Sequence, residues 1–397
     1  MKGNRSQLKP FECHPSRGRG SNGRDLRLPV LWLVPVASLV LTGCWGTREL
    51  DLMPAPLVHQ QHGASACGGI AETSCCADIH FATNRPAVRG DRHPFYRNGS
   101  ERRLHLGVAK VRLGDKSMRL EELVELSTRA ERPKEIPLRI EQTIEIEMGD
   151  RTQDSALTAS INRSLQRCSR KDLTIFVPGA QSSFYKSCAH ATQLQHFMLG
   201  QGAIVTFSWP STGRFVGYPR DTRYARESVG HLADLIEQLA ASTDAKTINI
   251  FSYSAGAQVT APALAELRVR HPGESADELR RRFRIGNVYL ASPDVSAEAF
   301  YTQYLPAFRD LVGRTTFTYH RQDPFLKASH RYLGEARLGR PSGGFGKAKE
   351  LAWLKQGAAH PSVDAIDLEF ACVERPVEFC AHGAWYSNPW VSSDLVV

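Results

Sequence analysis

The chain has 397 residues, of which 42% are hydrophobic and 23% are charged. This composition is typical of a globular protein, and the length allows one large domain with extensions. The net charge is +9, and residues 1–43 supply +5 of it through seven basic and two acidic side chains. The +4 that remains is too small for a nucleic-acid-binding surface, and no basic and aromatic pattern accompanies it, so we exclude nucleic acid as a partner.

The first segment has the features of an export signal. Leu28 to Leu41 is apolar except for Ser38. Its fourteen residues are too few for a membrane span, which needs roughly 20, but they suit the apolar region of a signal peptide. We therefore expect residues 1–43 to be a signal segment.

The residues after the apolar stretch indicate how the protein is anchored. Leu41-Thr42-Gly43-Cys44 resembles the bacterial lipobox, whose cysteine is lipidated and becomes the new N-terminus. Trp45 stands where an aspartate would suggest retention in the inner membrane. This resemblance implies a membrane partner through lipidated Cys44. It also implies a location in the bacterial cell envelope, at the periplasmic face or the outer membrane.

The next two regions differ in composition. Residues 44–78 are rich in Gly, Ala, Pro and His without periodicity, which predicts a flexible tether. Residues 79–150 are predicted to be a strand-rich N-terminal extension of the sheet, with Leu104 to Leu113 and Ile136 to Met148 as its clearest strands. The polar residues 149–171 are expected to lead into the main domain.

Residues 151–397 alternate predicted strands and helices, which indicates an α/β fold with a mostly parallel central sheet and helices on both faces. Gly334 to Gly346, rich in Gly and Arg, is predicted to be a surface loop. The predicted strands are Leu173 to Val177, Ala203 to Trp209, Thr247 to Phe251, Ile285 to Ala291, Thr315 to His320 and Val363 to Leu368.

One predicted helix has a clear apolar stripe. In Arg223 to Ala241, the residues Val229, Leu232, Ile236 and Leu239 recur at helical spacing. Such a stripe is typical of a helix that packs against a sheet, and we assign it no other role.

The strongest functional signal is a serine between a strand and a helix. Thr247 to Phe251 reads as a buried strand, Ala257 to Arg268 reads as a helix, and Ser252-Tyr253-Ser254-Ala255-Gly256 joins them. A serine on such a turn presents its hydroxyl at the top of the sheet, as in the nucleophile elbow of an α/β hydrolase. The usual pattern is G-x-S-x-G, and here Ser252 is small enough to replace the first glycine.

A serine hydroxyl needs a base to accept its proton and a further group to orient that base. In this fold the serine comes first along the chain, an acidic residue that orients the base comes next, and the histidine base comes last. His382 fits as the base because it lies beyond the last predicted strand, whereas His360 precedes that strand. Asp323 and Asp294 each follow a strand and are the candidate acids. We prefer Asp323, and Asp294 remains the alternative.

Two backbone amides would complete such a site by binding an oxyanion. Ala255, directly after the serine, is expected to supply one of them. The other would come from Ala180 or Gln181 in the loop after Val177, since Pro178 has no N–H. We expect no metal and no organic cofactor.

The nine cysteines favour an exported protein. Cys372 with Cys380, and Cys168 with Cys188, are candidate disulfide pairs. Cys75-Cys76 with His80 matches no zinc-binding pattern, so we assign it no metal.

The chain resembles a group of bacterial α/β hydrolases described only as esterase-like or lipase-like, from about Ile79 to Leu395. This resemblance implies that Ser254 is the nucleophile and His382 the base, and it leaves the acid open because both candidates lie in characteristic segments. The family usually has His-Gly before the oxyanion loop, and this chain has Pro178-Gly179. The segments that carry the resemblance are Ile79 to Arg85, Phe176 to Phe184, Phe207 to Ser211 with Gly213, Tyr218 and Asp221, Ser252 to Gly256, Ala291 to Val295, and His382 with Pro389 and Asp394.

These observations predict a membrane-tethered serine hydrolase that cleaves a carboxylic ester or thioester, including lipid esters, through an acyl-enzyme on Ser254. The alternative is a catalytically inactive envelope lipoprotein that keeps the hydrolase fold as a binding or scaffolding surface. A peptidase or amidase would use the same residues.

Overall fold

The structure is a computed structural model. It describes residues 50–51, 75–88, 95–127, 137–148, 156–212, 217–341, 362–372 and 381–396. The predicted signal segment, the lipobox with Cys44, most of the predicted tether and Cys380 lie outside these residues.

Ten strands of the described residues form one sheet, in the order β1-β6-β5-β2-β8-β7-β9-β10-β11-β12, and β3 pairs with β4 in a separate ribbon. The strands are β1 (Leu50–Asp51), β2 (Cys76–Thr83), β3 (Ala87–Val88), β4 (Phe95–Tyr96), β5 (His105–Leu113), β6 (Pro137–Met148), β7 (Asp172–Val177), β8 (Ala203–Phe207), β9 (Thr247–Tyr253), β10 (Ile285–Ala291), β11 (Val312–Tyr319) and β12 (Val363–Asp367).

The longer helices alternate with these strands, and shorter helical turns occur at Ser254–Gly256, Ala297–Ala299, Phe300–Tyr304, Glu369–Cys372 and Ala384–Ser387. The longer helices are α1 (Leu120–Ser127), α2 (Ala156–Arg167), α3 (Phe184–Phe197), α4 (Tyr218–Ser242), α5 (Ala257–Arg270), α6 (Ala276–Phe283), α7 (Leu305–Leu311), α8 (Pro324–Leu333) and α9 (Pro389–Val396).

Seven strands, from β2 through β12 in the sheet order, are parallel, and β5, β6 and β1 are antiparallel additions. Both faces are covered by helices. One core contains apolar residues of α2, α4, α5, α6 and α7, and the other contains those of α1, α3 and α9. On β7, Ile175 belongs to the first core and Phe176 to the second, as alternation along a strand requires. The predicted fold class is confirmed.

The apolar stripe of α4 packs as expected, with Leu232, Ile236 and Leu239 fully buried in the first core. The helix begins at Tyr218, five residues before the predicted start. Pro219 occupies its first turn, where the missing amide has no intrahelical partner to lose.

The N-terminal boundaries differ from the prediction. Strand β2 begins at Cys76, inside the predicted tether, and Leu50 pairs with Leu138. The predicted extension also contains the helix α1, and α2 lies within the polar segment 149–171. Composition missed both helices because tertiary packing, rather than local propensity, stabilises short polar helices.

The extension is continuous with the main sheet. His80 and Phe81 of β2 pair in parallel with Val205 and Thr206 of β8. The residues from Arg48 to Val397 form one compact unit. Strand β2 therefore belongs to the parallel part of the sheet, although it precedes the predicted catalytic domain.

Two further expectations need correction. Residues 334–341 are the described part of the predicted surface loop; Gly334 and Glu335 are exposed, but Arg337 is only 2% exposed. Cys168 and Cys188 form no disulfide, and the Cys168 thiol instead contacts the carbonyl oxygens of Ser164 and Gly200. Spacing along the chain indicates where two cysteines lie, but not whether their side chains meet.

Two other features are absent from the described part of the chain. Its helices include none with the length and apolar character to cross a membrane. In the same ranges, no group of His, Cys, Asp and Glu side chains could hold a metal ion. His80, which the sequence analysis considered together with Cys75 and Cys76, contacts Ser160 Oγ through its Nε2.

Candidate active site

Ser254 occupies a strained turn between β9 and α5. Its φ angle is 51°, in the left-handed region that residues with a side chain rarely adopt. Strand β9 ends at Tyr253, and a single tight helical turn over Ser254–Gly256 leads into α5. The strain and the abrupt change of direction are those expected of a nucleophile elbow.

Close approach of two backbones explains the small residues of this turn. A Cβ added to Gly256 would lie 2.5 Å from the carbonyl oxygen of Val177 and 2.7 Å from that of Pro178. Ser252 fits where the usual pattern has glycine, because the Thr260 hydroxyl donates to its Oγ at 3.0 Å. This bond ties the strand to the helix beyond the turn.

His382 joins Ser254 to Asp323. Its Nε2 lies 2.9 Å from Ser254 Oγ, and its Nδ1 lies 2.7 Å from Asp323 Oδ2. The three side chains come from the turn after β9, the segment after β11 and the segment before α9. The structure thus brings together three residues that are 128 positions apart at their widest.

Asp323 is held in place from its other side. It is the N-cap of α8, and its Oδ1 accepts hydrogen bonds from the amides of Phe325 and Leu326 at 2.9 and 3.0 Å. One oxygen of the carboxylate therefore caps a helix while the other faces His382. The carboxylate is completely buried.

Two opposing effects set the protonation of His382. Burial lowers its pKa, because a charged imidazole loses its hydration. The charge and hydrogen bond of Asp323 outweigh burial, and Asp294 adds a smaller effect in the same direction. The pKa of His382 therefore lies above its ordinary value of 6.5.

Asp294 does not contact His382. Its Oδ1 accepts from Arg337 Nε at 2.7 Å and from Ser329 Oγ at 2.6 Å, and its Oδ2 accepts from Tyr218. The Asp294 amide donates to the carbonyl oxygen of Ser254 at 2.9 Å. Its carboxylate thus forms a buried ion pair while its backbone supports the elbow.

The loop after β7 runs beside the serine. A Cβ added to Gly179 would lie 3.0 Å from Ser254 Cβ. The carbonyl oxygen of Pro178 accepts a 2.6 Å bond from the Trp209 indole, which fixes the start of the loop. Ala180 follows directly, so its amide and that of Ala255 lie on the two backbone segments that border Ser254.

Sequence reasoning gave no role to several polar residues around this site. Arg337 and Gln258, which both donate to the Asp294 carboxylate, were not singled out. Tyr218 and Arg85 appeared only within characteristic segments. An arginine in a Gly-rich and Arg-rich stretch gives no local signal of burial. A motif search centred on the serine had no means to find them.

This arrangement is suited to proton transfer. An imidazole within hydrogen-bond reach of a hydroxyl can accept its proton, and a carboxylate on the other ring nitrogen stabilises the imidazolium that forms. Amides at a helix start are oriented to stabilise negative charge on a bound oxygen.

Comparison with known proteins places the chain in a described family. A family profile described as alpha/beta hydrolase of unknown function (DUF900) matches residues 153–395. Curated proteins include no match to the chain.

Among solved structures, the chain is similar to esterase B from Lactobacillus rhamnosis, with 12% identity and a TM-score of 0.33 over 58% of this chain and 74% of that chain. It is similar to an esterase from Rhizomucor miehei, with 11% identity and a TM-score of 0.30 over 88% and 93% of the two chains. It is also similar to MenH from S. aureus, with 9% identity and a TM-score of 0.27 over 57% and 92%.

The family profile spans more than half of the chain and includes Ser254, Asp323 and His382. The parallel sheet, the helices on both faces and the serine turn after β9 agree with its description. The chain therefore belongs to this family of alpha/beta hydrolases of unknown function.

Proposed function

We propose that the protein is a serine hydrolase that cleaves a carboxylic ester or thioester. The observation that carries the proposal is the position of His382, within 2.9 Å of Ser254 Oγ and 2.7 Å of Asp323 Oδ2. The strained φ of Ser254 and its place between a parallel strand and a helix add support. An ester or thioester is preferred because its leaving group is easier to expel than an amine.

In the acylation step, Ser254 Oγ attacks the carbonyl carbon of the substrate and His382 Nε2 takes the hydroxyl proton. The negative charge that develops on the carbonyl oxygen is stabilised by the amides of Ala255 and Ala180. His382 then returns the proton to the leaving alcohol or thiol. Asp323 holds the imidazole in the tautomer that has its free nitrogen towards Ser254.

In the deacylation step, a water molecule takes the place of the leaving group. His382 accepts a proton from the water, the resulting hydroxide attacks the acyl carbon, and Ser254 leaves with the returned proton. All of these transfers use side chains and amides of the chain, so the mechanism requires no metal and no organic cofactor.

A fluorophosphonate probe tests the proposal, because it forms a covalent bond only with an activated serine. The wild-type protein is expected to be labelled and to hydrolyse short p-nitrophenyl esters. Ser254→Ala is expected to lose both while circular dichroism shows an unchanged fold. A wild-type protein that reacts with neither reagent would instead favour the inactive binding or scaffolding protein.

We also propose that the protein is tethered to a bacterial envelope membrane through a lipid on Cys44. The support is the short apolar stretch Leu28 to Leu41 followed by Thr42-Gly43-Cys44. Metabolic labelling with a palmitate analogue is expected to mark the wild-type protein and not Cys44→Ser. Equal labelling of both proteins would contradict the assignment of this cysteine.

A further inference from the structure

Arg85 is a buried arginine just after β2, outside the residues that the family profile matches. Its Nη2 donates to the carbonyl oxygen of Ser182 at 2.5 Å and to that of Trp209 at 2.7 Å. Its Nε donates to the carbonyl oxygen of Ser208 at 3.2 Å, and its Nη1 donates to that of Ser211 at 3.4 Å. One guanidinium therefore binds the backbone of two separate loops.

The acceptors that the structure describes for this guanidinium are carbonyl, hydroxyl and amide oxygens, and none of them is a carboxylate. Burial lowers the pKa of Arg85 to about 10, and the charge of Asp221 opposes this effect. The side chain is therefore still charged at neutral pH. Burying a charge is costly unless hydrogen bonds and an opposite charge compensate it, and here the loop oxygens and the charge of Asp221 supply this compensation.

Asp221, in the first turn of α4, binds the loop after β8 through an amide. Its Oδ1 accepts from the Thr212 amide at 2.6 Å. Burial raises the pKa of this carboxyl, and the amides of Thr212 and Gln181 and the charge of Arg85 act in the opposite direction. The cation thus binds carbonyl groups of both loops and the anion binds an amide of the loop after β8. The Gln181 amide, in the loop after β7, favours the charged form of the same carboxyl.

The segment that Arg85 binds through the Ser182 carbonyl oxygen is the loop beside Ser254. Gly179 packs against Ser254, Gln181 has a left-handed φ of 60°, and the Ser182 carbonyl oxygen also accepts a 2.8 Å bond from Ser211 Oγ. A non-glycine residue keeps such a φ only where its surroundings impose it. Ala180 lies between the packed glycine and the restrained glutamine.

We propose that Arg85 and Asp221 are a positioning pair that fixes the loop from Pro178 to Ser183, and thereby aims the Ala180 amide at the substrate oxyanion. This inference rests on the proposed function and deepens it. It assigns a role in the reaction to a residue of the strand-rich extension, which lies outside the matched family region. Neither residue contacts the reacting atoms, so both act through the loop.

The test uses Arg85→Lys, which keeps the charge but has a single nitrogen that cannot span the carbonyl groups of both loops. Titration with a fluorophosphonate counts the competent serines, and hydrolysis of p-nitrophenyl acetate then gives kcat for each competent serine. We expect the number of competent sites to stay close to wild type. The kcat per site is expected to fall about 10-fold to 100-fold with little change in KM, because a misdirected oxyanion donor acts on the transition state.

Two control variants separate positioning from stability. Arg112→Lys makes the same chemical change in the extension, at an arginine paired with Glu141. Leu123→Ala opens a cavity in the second core, to which none of the residues 178–183 and 208–212 belongs. Both are expected to keep the wild-type kcat per site, and Leu123→Ala is expected to lower the melting temperature.

Hydrogen–deuterium exchange provides a readout that does not depend on activity. Peptides covering residues 178–183 and 208–212 are expected to exchange faster in Arg85→Lys, with α4 unchanged. If Arg85→Lys fails to fold, Asp221→Asn replaces it, with the same expected changes in kcat and exchange.

Three results would overturn the inference. Arg85→Lys could keep the wild-type kcat per site, it could lose activity only in proportion to its competent sites, or its loops could exchange at the wild-type rate. A wild-type protein that neither reacts with the probe nor hydrolyses the ester would instead refute the proposed function. In that case, loop exchange still decides whether Arg85 holds the segment.

Discussion

At the scale of single residues, the site depends on side chains that each make two contacts. His382 contacts Ser254 through one ring nitrogen and Asp323 through the other. Asp323 contacts His382 with one oxygen and caps α8 with the other. A change in any one of these residues therefore alters the position or the protonation of its neighbour.

Asp323→Asn should change the pH dependence of the reaction. The base acts when it is neutral, so in the wild type kcat/KM rises with pH through the raised pKa of His382, with a midpoint above 6.5. Without the carboxylate, burial dominates and lowers this pKa, so the midpoint moves to lower pH. We also expect kcat to fall by about 10³-fold to 10⁴-fold, because the amide no longer favours the required tautomer.

The measurement is a pH profile of ester hydrolysis for the wild type and the variant. Asp310→Asn, which removes a surface partner of Arg268, serves as the control and should leave the midpoint unchanged. An unchanged midpoint in Asp323→Asn would show that Asp323 does not set the pKa of the base.

Gly256→Ala should destabilise the protein through overpacking. The new Cβ would meet two backbone oxygens, of Val177 and Pro178, at 2.5 and 2.7 Å, and neither can move without moving the end of β7. We expect the free energy of unfolding to fall by about 1–3 kcal/mol in urea denaturation. Gly273→Ala is the matched control, because a Cβ at Gly273 has no atom within 4 Å. Equal stability of the two variants would contradict this explanation of the glycine.

At the scale of elements, a buried polar cluster joins the end of β10 to α4, α8 and the segment after α8. Asp294 follows β10, and it bonds Tyr218 at the start of α4, Ser329 in α8 and Arg337. The guanidinium Nη2 of Arg337 also donates to the Asp294 carbonyl oxygen at 2.7 Å. The cluster holds these elements around the turn that carries Ser254, without contacting the imidazole.

Asp294→Asn should therefore affect stability more than catalysis. The substitution removes the buried carboxylate partner of Arg337 and leaves only the exposed Glu335, 3.6 Å from its Nη1. We expect this to cost about 3–5 kcal/mol in the free energy of unfolding. The Asp294 amide still supports the Ser254 carbonyl, so kcat per competent serine should stay within about 10-fold of wild type. Urea denaturation and probe-normalised ester hydrolysis measure the two effects.

The same measurements choose between the two candidate acids. We expect Asp323→Asn to lose catalysis and Asp294→Asn to lose mainly stability. A stable Asp294→Asn protein with a kcat reduced as strongly as that of Asp323→Asn would make Asp294 the acid.

At the scale of the whole molecule, the N-terminal extension completes the fold. Ala82, Leu104 and Leu106 belong to the same core as the helices α4 and α5, and β2 covers the edge of β8. An exposed parallel edge and a gap in the core would otherwise remain. Arg85 reaches the loop beside Ser254 from this same extension.

A chain that lacks residues 1–149, and so keeps the residues of the family profile, should fail to fold cooperatively. The physical reason is the loss of β2 from the sheet together with its share of the core. Circular dichroism with thermal unfolding measures this outcome. The control is a chain that lacks residues 1–47 and keeps the compact unit from Arg48 to Val397. A cooperative transition in the shorter chain, at the temperature of the control, would show that the extension is a separate module.

The features that the sequence predicted correctly are those encoded by neighbouring residues. Strand patterns located six of the seven parallel strands, helical spacing located the buried stripe of α4, and the segment Ser252 to Gly256 located the turn. The chain order of the fold made His382, in a loop after the last strand, the candidate partner of Ser254, and the structure brings the two side chains within 2.9 Å of each other. Local geometry determines each of these patterns, so they can be read without coordinates.

Other features depended on contacts between distant segments. Asp323 and Asp294 both follow a strand and look alike in sequence, and only the folded chain brings Asp323 to His382 and gives Asp294 to Arg337. The burial of Arg85 and Arg337 could not be predicted from the sequence either. A charged side chain is buried only when remote residues supply the compensating oxygens. Tertiary structure alone decides whether such a side chain is buried. The residues next to an arginine in the sequence do not indicate which distant backbone groups it will contact.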